Sequence, residues 1–497
     1  MGPVNSLLSL SASKQAALIR TRELSSLELI EAHLSHISTV NPSINAVVEL
    51  LESRALHQAR AADDALSRGQ SIGPLHGVPF SIKDSIEVEG TRCTAGTVGR
   101  ATAPLSTADA TLVARLRQAG AIPIAKTNLP DLLFAFESDN LLFGRTNNPY
   151  DLTRTSGGSS GGEAALIASC GSPMGLGSDC AGSVRLPAAF CGIAAIKPTS
   201  GRLPRTGHFP PSGGWIEALG QIGPLARHIE DLVLMMGLLT GPDGVDSAVA
   251  DVPFSSLDER QFEGLRIAFH TDNGCCPASR EIAAVVRCAA AELAPDVTLS
   301  EEARPACVSE SYDLEMKLLG ADGGDSLREY LTAIGSHRVH PLLTGWLDKL
   351  EAYRTDLSGF QHYWAQWDGY RAEMASFLRR YDAIVCPAYP QPALAHGSST
   401  EDANFRGFSY TMAYNLAGLP GVVVRCGESS RGLPIAVQIL AKPWREDVAL
   451  AIAARLEQAM GGWRAPWNLG AQASAATAPS TGERNFHVVQ QGSDARE

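Results

Sequence analysis

The sequence predicts an α/β protein folded as one large architecture, and three observations lead there. Strand-like and helix-like patterns interleave over most of the 497 residues, rather than falling into blocks of one kind. One stretch has complete strand–helix–strand form: an apolar run at 77–83, a helical pattern with Leu112, Val113 and Leu116 on one face, and a second apolar run at 121–125. Such a unit implies parallel strands joined by a right-handed crossover. Finally, 44% of the chain is hydrophobic, enough for a large shared core.

Taken in order, residues 5–38 carry two helical patterns. The second opens at Ser25-Ser26 and sets Leu27, Leu29, Ile30, Leu34 and Ile37 on one side. Residues 49–69 read as a third, charged helix. Residues 1–75 are therefore expected to be a helical segment packed on a main body spanning 76–468. Ser106-Thr107-Ala108-Asp109 has the capping-box form, with Asp109 as its carboxylate. Residues 163–170 read as a short helix. Further strands are expected at 174–177, 192–196, 265–269, 383–385, 421–425 and 435–440. Helices are expected over much of 281–293, 308–332, 340–380 and 446–460. The greasiest helical stretch, 229–239, is broken by Glu230 and Asp231 and reads as a core helix. Residues 469–497 are poor in large apolar side chains, and a disordered tail is expected there.

The bulk numbers exclude several classes. Net charge is −12 with no long basic run, which sets nucleic-acid binding aside, since that needs clustered Lys and Arg to replace counterions. None of the ten cysteines stands in a Cys-x-x-Cys pair, so neither a metal site nor a thioredoxin-like motif is expected. The cysteine usage fits a reducing, cytoplasmic setting. No basic-then-apolar leader opens the chain. No apolar run reaches the roughly 18–20 residues of a membrane span.

Chemistry gathers in three segments. Lys83 closes the apolar run Gly77-Val78-Pro79-Phe80-Ser81-Ile82. Ser159 and Ser160 sit between Gly157-Gly158 and Gly161-Gly162. Ser183 ends Asp179-Cys180-Ala181-Gly182 and precedes Val184-Arg185. They offer a nucleophile, a relay, a base and a small-residue loop whose N–H groups can converge on an oxyanion. Each has a plain alternative. A strand-end lysine can snorkel or pair with Asp84, and Gly/Ser runs are common before helices. Gly157-Gly158-Ser159-Ser160-Gly161 also fits the nucleophile-elbow pattern, but no later histidine lies in an evident motif. No Gly-Lys-Ser/Thr follows, so a phosphate loop is not expected. Asp179 and Arg185 read as a brace for the Ser183 loop.

These residues resemble the amidase signature family of serine hydrolases. The resemblance runs through Gly77-Val78-Pro79-Phe80-Ser81-Ile82-Lys83-Asp84, Gly157 to Glu163, Gly182-Ser183-Val184-Arg185 and Lys197-Pro198-Thr199. It continues at Asn415-Leu416-Ala417-Gly418-Leu419-Pro420 and Gly432 to Gln438. It implies a single large domain with a twisted mixed sheet flanked by helices on both faces. It implies a Ser-Ser-Lys triad: Ser183 as nucleophile, Ser159 as bridging serine beside a cis peptide, Lys83 as base. The N–H groups of Cys180, Ala181, Gly182 and Ser183 would form the oxyanion hole, supported by Ser160, Asp179 and Arg185. Ser156 and Ala181 stand where the family more often has proline and glycine, and neither change removes a reacting group.

The resemblance further implies hydrolysis of a small-molecule amide or carbamate, an anilide or an ester, with no metal or organic cofactor. It leaves room for a homodimer. The aromatics Trp364, Trp367 and Tyr370 would suit an aryl or fatty acyl pocket, against the plainer reading that they pack on the core. Three rivals stand beside the amidase. One is the glutamine-cleaving component of a glutamine-dependent tRNA amidotransferase. Another is an α/β-hydrolase using Ser159 and a histidine. The third is a non-catalytic binding member of the family.

Overall fold

The computed structural model describes residues 6–466, apart from 71, 212–215 and 256–258 and the side chains of 259–261. The expected tail at 469–497 lies outside the described residues. Thirteen strands are formed among them: β1 Val47–Leu50, β2 Pro79–Lys83, β3 Ile122–Thr127, β4 Asn147–Asn148, β5 Asp151–Thr155, β6 Met174–Asp179 and β7 Ala194–Lys197 are followed by β8 Gln221–Ala226, β9 Arg266–Phe269, β10 Leu299–Glu302, β11 Ala383–Pro387, β12 Gly421–Glu428 and β13 Pro434–Ala441. All but the β4–β5 pair join one mixed sheet in the order β1-β3-β2-β6-β8-β7-β12-β13-β11-β9-β10.

Successive residues of one strand feed different apolar clusters, as the period of two requires. In β12, Val422 and Val424 join one cluster while Val423 joins the other. Helices cover both faces. Ile229–Leu239 and Glu446–Met460 lie on the first face, and Ser26–Ile44 and Gly161–Ala168 reach the second. The sheet is buried on both sides, which explains strands that are apolar throughout rather than alternating.

The strand–helix–strand expectation holds: β2 and β3 are parallel neighbours, and β2 is also parallel to β6. Their carboxyl ends, at Lys83, Thr127 and Asp179, therefore lie at one edge of the sheet, where open α/β sheets form their sites. Two strands were not expected. β1 pairs antiparallel with β3, so the N-terminal region adds an edge strand as well as helices. β8 pairs antiparallel with β6 and β7, although its sequence holds Gly223-Pro224. Expected helices also divide. Residues 308–332 form Ser311–Leu319 and Asp325–Ala333, and 340–380 form Pro341–Glu351 and Leu357–Phe377.

The capping box expected at 106–109 is not formed. The helix starts at Thr111, and its N-cap residue, Ala110, has no side-chain cap. Asp109 instead accepts the Glu89 N–H at 2.9 Å and pairs with Arg117 at 2.5 Å. None of the ten cysteines forms a disulfide. Among the described residues no helix is long and apolar enough to cross a membrane.

Candidate active site

Lys83 is the last residue of β2 and is fully buried. Its Nζ lies 2.6 Å from Ser159 Oγ and 3.0 Å from Ser178 Oγ. The alternative bridge to Asp84 is not formed. Asp84 points elsewhere, 2.7 Å from the buried Lys126 Nζ, and accepts the Thr94 N–H at 3.2 Å. Burial pulls the Lys83 amine down to about 7, with the charges of Asp179 and Glu163 opposing the shift. An amine left dry without a carboxylate on it favours the neutral form.

Glu163 sits behind Lys83 in the helix Gly161–Ala168. It accepts hydrogen bonds from Ser81 and, at 2.6 Å, from Thr127 Oγ1. Burial nonetheless pushes its carboxyl up to about 8, so at neutral pH it is largely protonated and does not hold Lys83 as a cation. Gly175 makes room for it, because a Cβ there would stand 1.7 Å from Glu163 Oε1.

Ser159 follows a cis Gly158–Ser159 peptide. Gly158 is required by close approach, since a Cβ would stand 2.6 Å from the Glu137 nitrogen. Ser160 ties this loop to its neighbours. Its N–H donates to the Ser183 carbonyl at 3.1 Å, and its hydroxyl donates to the Ser178 carbonyl and accepts the Ser178 N–H, both at 3.3 Å.

The Ser183 loop is wrapped around Asp179. That carboxylate accepts from the N–H groups of Gly182 at 2.8 Å and Val184 at 3.2 Å, from Arg185 Nε at 3.0 Å and from Asn415 Nδ2 at 2.9 Å. Burial works against its charge, but the Arg185 guanidinium and these donors hold it well below the usual carboxylate range. The pairing of Asp179 with Arg185, left open by the sequence, is therefore made, and both side chains are fully buried.

One expected oxyanion donor is corrected. The Gly182 N–H is already given to Asp179. Among the described residues no acceptor is found for the N–H groups of Cys180, Ala181 and Ser183. Gly182 still has to be glycine: its φ is +120°, and a Cβ would meet Thr411 Oγ1 at 2.2 Å.

Ser159, Ser178 and Ser183 line the floor of a cavity of about 440 Å³. Its walls come from segments scattered along the chain: 132–136, 205–211, 216–222, Leu319 and Trp346. Most of these side chains are apolar, among them Leu132, Phe134, Phe136, Ile216 and Ile222. The volume is that of a site for a small organic molecule. His208 also faces the cavity, with Nε2 3.3 Å from Ser85 Oγ. Burial and the Lys83 charge lower it to about 4, so it is neutral.

The aromatic stripe at 364–370 is not part of the cavity. Trp367 donates to the Leu416 carbonyl at 2.7 Å and Tyr370 to the Ala413 carbonyl at 2.9 Å, both in the core. Trp364 is partly exposed and stacks edge-on against Trp367. Sequence reading gave no role to Ser178 or Asn415, although both lie within or beside the family-like motifs, and it missed the walls altogether. Among the described residues no group of three His, Cys, Asp or Glu side chains is placed to hold a metal ion.

A family model described as Amidase matches residues 28–450. The chain belongs to the amidase signature family. Among similar proteins is fatty-acid amide hydrolase 2 of Homo sapiens, 31% identical over 93% of this chain and 91% of that one. Another is an acylamidase of Rhodococcus erythropolis, 31% identical over 90% of this chain and 95% of the other. Glutamyl-tRNA(Gln) amidotransferase, represented by its amidase-like polypeptide from Moorella thermoacetica, is 31% identical over 90% of this chain and 96% of its own. Among solved structures, a substrate complex of 6-aminohexanoate cyclic dimer hydrolase superposes with a TM-score of 0.81. It is 28% identical, over 93% of this chain and 99% of that one. The mixed sheet with helices on both faces is thus the architecture of amidase signature enzymes.

Proposed function

We propose that this chain is a serine amidase that cleaves small-molecule amides through an acyl-enzyme. The observation that carries the reading is the buried Lys83 Nζ held 2.6 Å from Ser159 Oγ, in surroundings that pull the amine to about 7. Lys83 then takes the hydroxyl proton of Ser159, and Ser159 takes that of Ser183. Ser183 Oγ bonds to the amide carbonyl carbon. The N–H groups of Cys180, Ala181 and Ser183 stabilise the oxyanion. Elsewhere, removing one such donor costs about 2.7–4 kcal/mol of transition-state stabilisation. The proton returns by the same relay to the leaving nitrogen as the C–N bond breaks. Water hydrolyses the acyl-enzyme by the same steps.

No hydrogen bond joins the Ser159 and Ser183 hydroxyls among the described residues. Such links are often long in free enzymes and tighten with substrate. The test is Ser183→Ala with a chromogenic anilide, together with fluorophosphonate labelling of the wild type. Loss of turnover and a label on Ser183 support the reading; activity near wild type in the variant refutes it.

The likeness to the glutamyl-tRNA(Gln) amidotransferase of Moorella thermoacetica favours a second reading, a glutamine-cleaving component that needs partner chains. The cavity argues against it. A free glutamine brings an ammonium and a carboxylate, each needing a charged partner once desolvated. The charged wall residue Arg205 is taken by Asp246, 2.9 Å away, and by Glu217 at 3.0 Å, and Asp179 is taken by Arg185. Hydrolysis of apolar amides by the purified chain alone decides for the first reading. Activity that appears only with glutamine and added partner chains decides for the second.

A further inference from the structure

Two polar atoms on the cavity walls are buried without a partner. They are Gln221 Oε1 and Trp346 Nε1. Both residues line the cavity and both are more than nine-tenths buried, at 2% and 4% exposure. Buried polar groups are normally satisfied, so each orphan calls for an explanation.

Gln221 opens β8 directly opposite Asp179 in the antiparallel ladder. That position is next to the loop that carries Ser183. Its Nε2 is committed to the Gly220 carbonyl, which leaves Oε1 as a fixed acceptor. Trp346 belongs to a different wall, in Pro341–Glu351. Its ring is clamped by Phe136 at 5.6 Å, Phe134 at 6.1 Å and Phe405 at 5.0 Å between centroids. That leaves the indole N–H as a fixed donor in apolar surroundings.

We propose that these two atoms read the substrate at two points. Gln221 Oε1 accepts a hydrogen bond from the N–H of the scissile amide, and Trp346 Nε1 donates to an oxygen acceptor carried on an otherwise apolar arm. The substrate class is then an amide or carbamate that retains its N–H. Its arm is an aryl or alkyl group bearing an ether or carbonyl oxygen, rather than a plain hydrocarbon. This rests on the amidase reading and adds specificity to it. A site built to bond a substrate N–H discriminates strongly against the analogue lacking it, because its own buried group is then left unpaired.

The test uses the full chain and four matched substrates: a secondary amide and its ester isostere, each with a plain alkyl arm and with an ether oxygen in that arm. Gln221→Met keeps the volume without the acceptor, and Trp346→Phe keeps a ring without the donor. The readouts are ratios of kcat/KM, which a merely structural loss does not move. Gln221→Met is expected to lower the amide-to-ester ratio by roughly tenfold or more, and Trp346→Phe the ether-to-alkyl ratio by a similar factor. Fluorophosphonate labelling of Ser183 confirms that each variant is folded at the site. A ratio equal to wild type in a labelled variant overturns the role of that residue and leaves the amidase standing. A variant that takes no label is replaced by Gln221→Leu or Trp346→Tyr and read in the same way. A wild type that takes no label and cleaves none of the four overturns both readings.

Discussion

The floor and the walls of the cavity are built differently. On the floor the side chains hold one another: Lys83 lies against Ser159 and Ser178, and Asp179 is gripped by Arg185 and Asn415. On the walls, Gln221 and Trp346 each keep a buried polar atom unpaired. The floor is complete without a substrate, while the walls are left to be completed by one. Reaction machinery and substrate choice therefore sit in separate parts of one cavity, so changes to one should register differently from changes to the other.

Ser183→Ala should break the floor most severely. Turnover of an anilide is expected to fall by roughly 10⁴-fold or more, measured with excess substrate and a blank from the uninduced host. A smaller but structural break is Arg185→Met, which strands the Asp179 carboxylate in the core. Removing one partner of a buried pair costs about 3–5 kcal/mol. A urea melt of the variant should show that loss, whereas an unshifted midpoint would mean that Asp179 is not held as described.

Lys83→Met should act in the opposite sense on stability while abolishing turnover. The folded amine at about 7 lies below its unfolded value of 10.5, so between these limits the unfolded chain binds more protons and wild-type stability rises with pH. Below about pH 7 the folded state bears the full cost of burying the amine, on the order of 4–5 kcal/mol. Methionine removes that cost and also loses the contacts with Ser159 and Ser178. The variant is thus expected to be the more stable protein at about pH 6, by up to about 4 kcal/mol, and to lose the advantage towards pH 10. Paired melts at the two pH values check it. The smallest effects belong to the walls, where Gln221→Met and Trp346→Phe change selectivity by about tenfold.

The floor was legible because its motifs are local. Lys83 and Asp179 end β2 and β6, which run parallel, and short loops place Ser159 and Ser183 beside them. The walls were not legible, because Phe136 and Trp346 are distant in sequence and meet only through tertiary packing. Three misreadings share a cause. Asp109 left its capping box for Arg117 and the Glu89 N–H, the Gly182 N–H turned to Asp179, and the stripe at 364–370 turned to the core. In each case a long-range or cross-loop partner outcompeted the local pattern. β8 was missed because Gly223-Pro224 reads as a turn, although both residues are buried within a strand.

The measurement that bears most directly on the account is the rate of fluorophosphonate labelling at Ser183 as a function of pH, in wild type and in Lys83→Met. The account expects a single rise centred near 7, a plateau above it, and no rise in the variant. A wild-type rate that is flat from about pH 5 to 9, or that climbs only near the ordinary lysine value of about 10.4, would contradict it.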